Sequence, residues 1–161
     1  MPKRQGRHAG HERFASLVRK AGVSGVIVPD LPLEESAPWC AAADAARLAT
    51  VMLAAPTAPD ERLPLIARRS RGFVYAVGLL GITGERETLA SSATTIARRV
   101  KAATDLPVLV AVGVSDAAQA VEACTVADGV IQGAAILRRL HDEAADSVGR
   151  FVADVRSALD E

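Results

Sequence analysis

Residues Gly72–Glu87 read GFVYAVGLLGITGERE, and the change of character along this stretch decides the fold. Phe73 to Val77 is an apolar run of aromatic and β-branched residues that suits a buried strand. The run then breaks into Gly81-Ile82-Thr83-Gly84, where two glycines permit backbone conformations closed to other residues. A charged cluster, Glu85-Arg86-Glu87, follows. A buried strand therefore delivers a polar, glycine-hinged loop to one end of a sheet. In parallel α/β folds that end is where ligands bind.

The same pattern recurs on both sides of this stretch. Upstream, His11–Ala21 has helical spacing and Gly22 is a plausible stop, followed by a strand at Gly25–Val28 with Asp30 just past its end between Pro29 and Pro32. Glu34-Glu35-Ser36 opens a helix to about Leu48, with acids at the turn the macrodipole favours. Thr50–Ala54 is the second strand, and Asp60 reads as the N-cap of a helix over 61–69. Downstream, a helix over 92–104 turns Ile96 and Val100 inward. Pro107–Val112 is the fourth strand, and Ser115 is placed to cap a helix through Ala123. Asp128–Ile131 is the fifth strand, followed by helices over 136–140 and 143–159, the last with Val148, Phe151, Val152 and Val155 as its apolar stripe.

Five strands alternating with helices predict a parallel α/β sheet. A closed barrel of such units needs eight of them, so the expectation is a partial TIM (β/α)8 barrel of about five strands. Residues 1–10, basic and without periodicity, are expected to be a disordered tail, and 11–161 the partial-barrel domain. With 161 residues, 50% of them hydrophobic, the chain has the apolar content for one core. Its 19 Lys+Arg balance 19 Asp+Glu, and only 3% is aromatic, which points away from nucleic acid and from anionic membranes. No apolar run is long enough to span a bilayer, and the reading is a cytoplasmic protein. Cys40 and Cys124 lack metal spacing and read as buried or half-buried free thiols.

Few residues carry chemistry. The turns Gly113-Val114-Ser115 and Gly133-Ala134-Ala135 follow the last two strands, where barrels of this type often cradle a phosphate against a helix N-terminus. Each turn taken alone is also a common way to begin a helix. Asp30, at a strand's C-terminal end, suits a base or an orienting group, and equally a loop cap. Tyr75 alternates with its neighbours, toward the core or toward a ligand. His8, His11 and His141 lie near termini or on polar faces. No nucleophile triad, phosphate-binding Walker loop or metal constellation is present, and no cofactor is implied.

The segments AGVSGVIVPDLPLEES, APTAPDERL, GFVYAVGLLGITGERE, LPVLVAVGVSDAAQAVEA and ADGVIQGAAI together resemble the tryptophan synthase alpha chain, in order and spacing from about Glu12 to Leu140. The resemblance covers the later five of that family's eight βα units. It implies a TIM barrel that cleaves indole-3-glycerol phosphate to indole and glyceraldehyde 3-phosphate beside a beta chain containing pyridoxal phosphate. By resemblance Tyr75 lines the indole pocket, and Thr83 and Gly84 lie in the closing loop and its phosphate contact. Gly113 and Gly133 are then phosphate-loop glycines, and Asp30 matches an acidic residue near the beta-chain contact. The sequence departs from the family pattern at Ala111 (a glycine there), Ala134 (a serine) and Leu79-Leu80 (more polar residues). The family's catalytic Glu and its Asp partner fall on units this sequence does not contain. Three readings follow: a truncated alpha-type lyase inactive in isolation, a non-catalytic module that binds phosphate or a beta chain, or a gene remnant. Open sheet edges also predict self-association.

Overall fold

The computed structural model describes residues 10–78, 91–111, 114–143 and 145–161. Five strands, β1 Gly25–Ile27, β2 Ala49–Ala54, β3 Val74–Val77, β4 Val108–Ala111 and β5 Gly129–Ile131, form one sheet in sequential order, and every pairing is parallel. Helices α1 His11–Lys20, α2 Ala37–Ala45, α3 Leu63–Arg69, α4 Ser91–Lys101, α5 Ala117–Cys124, α6 Ala134–Asp142 and α7 Ala145–Leu159 alternate with them. This is an α/β partial TIM barrel, as the strand–helix alternation predicts. The 1–10 tail, apart from Gly10, lies outside the described residues.

The pleat divides each strand between two environments. Met52, Ala54, Val74, Ala76, Val108 and Val110 pack against Leu63 and Ile66 of α3 and Ile96 and Val100 of α4 in one core, with Ile96 and Val100 inward as expected. The opposite face carries the register row Leu53–Tyr75–Leu109–Gly129, and beyond it Val77–Ala111–Ile131. These residues are apolar too, yet most are only half-buried. An apolar sheet face without a layer over it is what a sector cut from a barrel exposes. Gly129 belongs to this face for a steric reason. A Cβ there would come within 3.0 Å of Leu109 Cδ2, so the missing side chain makes room for Leu109.

Element starts differ from the sequence reading in three places. Asp60 caps nothing. The α3 N-cap is Arg62, a 3₁₀ turn covers Asp60–Arg62, and the Asp60 carboxylate instead takes Nε of Arg99 at 2.8 Å. Asp116, not Ser115, caps α5, accepting the Gln119 N–H at 2.8 Å. Glu34 and Glu35 lie in a separate 3₁₀ turn, Leu33–Glu35, ahead of α2, which stops at Ala45. Val152 also departs from the predicted stripe. It is 46% exposed, whereas Phe151 and Val155 are buried.

A second, smaller cluster around Trp39 joins α1 to α2, with Phe14 and His11 against the indole at 5.7 and 6.2 Å between ring centroids. Cys40 is buried and Cys124 half-buried, both free, as the spacing implies.

Candidate functional site at the carboxyl edge of the sheet

All strands point the same way, so the loops after them share one edge. Gly133 leads from β5 into α6. Its φ of −116° needs no glycine, and the space a Cβ would enter holds nothing within 4 Å. The α6 N-terminus has no side-chain cap, so its first-turn N–H groups have no side-chain acceptor among the described residues. Ala134, exposed at that turn, is already helical, so α6 is longer at both ends than the sequence reading. Such a terminus favours an anion.

Arg139 fixes this helix relative to its neighbours. Its guanidinium donates to the Ala135 carbonyl at 3.0 Å and the Ser115 carbonyl at 3.4 Å, and lies 3.8 Å over the Phe151 ring. One cation thus ties α6, α7 and the loop after β4 together. That loop is braced again by Gln119, whose Oε1 accepts the Ser115 N–H at 2.7 Å.

The sequence marks Ser115 as a helix cap and as part of the turn after β4, and it gives Gln132 no role. Ser115 Oγ and Gln132 Nε2 are the buried side-chain polar atoms without a hydrogen-bond partner among the described residues. Gln132 directly follows β5, and Ser115 lies in the segment between β4 and α5; the last residues of the two strands, Ala111 and Ile131, pair. A buried orphan of this kind costs about 1–3 kcal/mol, so two at one sheet edge mark a place whose polar complement is missing. The available signal was Gln132 itself, a polar residue closing the apolar run GVI.

Tyr75 lies mid-sheet on the open face, between Leu53 and Leu109. Burial raises its phenol above the ordinary 10, so the hydroxyl stays protonated and remains a donor at neutral pH. Asp30 is exposed, in the turn after β1, where the Leu31 N–H reaches the Val28 carbonyl at 3.4 Å. The strand order puts it and Gly133 at opposite edges of the sheet. The structure therefore places Asp30, Tyr75 and Gly133 along one sheet but brings no two of them together. Thr83, Gly84, Gly113, Leu79 and Leu80 lie outside the described residues.

The other titratable groups are occupied or distant. Burial, then the Asp128 carboxylate, raises the Cys124 thiol, which keeps it protonated and a poor nucleophile. His141 is exposed beside Asp142, and His11 packs on Trp39. Among the described residues no cluster of His, Cys, Asp or Glu is arranged to hold a metal ion, and no helix is long and apolar enough to cross a membrane.

Comparison with known proteins agrees with this architecture. The family pattern described as tryptophan synthase alpha chain matches residues 7–158. The tryptophan synthase alpha chain of Streptomyces coelicolor is 47% identical over 140 residues, which is 87% of this chain and 52% of the relative. That of Rippkaea orientalis is 38% identical over 159 residues, 96% of this chain and 60% of the relative. Among solved structures, Mycobacterium tuberculosis tryptophan synthase superposes with a TM-score of 0.84 at 37% identity, over 93% of this chain and 57% of that one. A structure of the Pyrococcus furiosus tryptophan synthase α2β2 complex gives 0.84 at 34% identity, over 92% and 62%. The chain spans about half the length of curated relatives that it matches. On its fold and its sequence together, the chain belongs to the tryptophan synthase alpha chain family.

Proposed function

We propose that this chain carries the phosphate- and indole-binding part of an alpha-type lyase site, the one that cleaves indole-3-glycerol phosphate to indole and glyceraldehyde 3-phosphate. The observation behind this reading is the uncapped α6 N-terminus at Gly133, with open space beside it and orphaned polar groups at the ends of β4 and β5. Tyr75, half-buried and flanked by leucines, offers an apolar ring surface and a protonated hydroxyl to an aromatic substrate. The solved α2β2 relative supports a tryptophan synthase beta chain as the partner.

Cleavage requires a proton delivered to the indole ring and another taken from the glycerol hydroxyl, so carboxylates must flank the substrate. Asp116 is committed to its cap, and Asp30 stands across the sheet from the phosphate end. Among the described residues neither of these carboxylates stands where it can flank the substrate, and general acid–base help is typically worth about 10²–10⁴-fold per group. We expect the purified chain to form no indole from this substrate, with or without a beta chain. Turnover near that of a full-length alpha chain, abolished by Asp30→Asn, would overturn this expectation and make Asp30 catalytic.

A further inference from the structure

We infer that Ser115 gives its hydroxyl to the anion at the carboxyl edge, and that Arg139 is the positioning residue that holds it there. The inference rests on the phosphate-binding reading of this edge and names the side chains that complete it. Ala134 brings no hydroxyl to the first turn of α6, so a hydroxyl donor comes from the neighbouring arm, the segment between β4 and α5.

Ser115 is clamped through its backbone from both sides. Gln119 Oε1 accepts its N–H at 2.7 Å, and Gln119 is itself buried, its own N–H given to the Asp116 carboxylate at 2.8 Å. On the carbonyl side stands Arg139. One guanidinium spans from the Ser115 carbonyl, at 3.4 Å, to the Ala135 carbonyl, at 3.0 Å, in the first turn of α6. Side chains on a helix lean toward its N-terminus, so a residue four positions on reaches back over that turn. The Phe151 ring, 3.8 Å away, supports the guanidinium on one face. A planar fork with several donors can serve all three contacts at once, which a single ammonium cannot.

What the clamp leaves over is the hydroxyl. Its oxygen is buried and has no partner among the described residues, although a serine in a turn ordinarily bonds to nearby backbone. Rotation about χ1 redirects it without disturbing the clamped backbone. The other orphaned group, the Gln132 amide, lines a cavity of about 500 Å³ between β5 and α7, among Val130, Val152 and Val155. Walls so largely apolar are a poor setting for an anion.

Inorganic phosphate titrated into the chain and followed by amide NMR tests the inference, with Ser115→Ala, Arg139→Lys and the double variant. Ser115→Ala should weaken binding about tenfold, the loss of one hydrogen bond to a charged group. Arg139→Lys keeps the charge and loses the fork, and should weaken binding about threefold. Because Arg139 acts through Ser115, the double variant should bind as Ser115→Ala does. Thermal melting separates this from a structural role. Removing an unpartnered buried hydroxyl should leave the melting temperature unchanged or raised, while affinity falls. Equal affinity of the parent and Ser115→Ala, or a lowered melting temperature in that variant, would overturn the role of Ser115 with phosphate binding intact. Parent-like affinity in Arg139→Lys, or additive losses in the double variant, would overturn the role of Arg139. No shifts in the parent at millimolar phosphate would remove the phosphate-binding reading and this inference with it.

Discussion

Replacing Arg99 by Met tests what holds the segment between β2 and α3, which starts at the ligand edge of the sheet. The guanidinium donates to the Pro56 carbonyl at 3.0 Å, to the Ala58 carbonyl, and to Asp60 at 2.8 Å. Its side chain is 28% exposed, that of Asp60 82%. An ion pair so open to water is worth about 0–1 kcal/mol. Hydrogen bonds from a charged donor to carbonyls are worth about 1.5–3 kcal/mol each before the entropy of holding the side chain is subtracted. Arg99→Met, which keeps the apolar stem, should therefore cost about 2–3 kcal/mol, and Asp60→Asn under about 1. At about 2–4 °C per kcal/mol for a chain of this size, the first lowers the melting temperature by about 4–12 °C and the second by less than about 4 °C. Thermal melts followed by circular dichroism read both. Equal losses would show that the ion pair, not the carbonyl contacts, anchors the segment, and would refute the reasoning.

Two further outcomes follow from the core and its base. Ile96→Ala, at a fully buried position between α4 and the sheet, should cost about 2–5 kcal/mol in urea unfolding, whereas Leu65→Ala, 46% exposed, should cost far less. The Asp128 carboxyl is held below its ordinary 3.8 by the Val108 N–H at 2.7 Å and then by Lys101 at 2.9 Å. A depressed carboxyl stabilises the fold above the unfolded value and ceases to do so as pH falls through the folded one. Asp128→Asn should thus lower the urea midpoint at pH 7, with the gap to the parent closing below about pH 4. A gap that persists or widens in acid would contradict the assignment.

Much of the fold was legible because it rests on local pattern. Ile96 and Val100 recur at helical spacing, and the runs over 74–77 and 108–111 are apolar on both faces, although here only the face toward α3 and α4 is fully buried. What escaped was decided by contacts distant in sequence or by a choice between equal local signals. Asp60 has the chemistry of an N-cap, but Arg99 lies 39 residues away and takes it. Ser115 and Asp116 both suit a cap, and the carboxylate that meets the Gln119 N–H is that of Asp116. Val152 shares the apolar period of α7 yet borders the cavity beside β5, because periodicity names a face and not what lies across it. At the candidate site, Gly133 and Tyr75 were legible as types at strand ends and mid-strand. Gln132 was not, since an orphaned amide shows only once its neighbours are in place.

Titration of the chain with inorganic phosphate, followed by amide NMR, asks whether the edge at Gly133 binds an anion, without requiring turnover. Binding should be weak, since Ala134 offers no hydroxyl, with shifts centred on Gly133, Ala134 and Ala135 and reaching Ser115 and the Gln132 side-chain amide. Shifts confined to other regions, or none at millimolar phosphate, would contradict it.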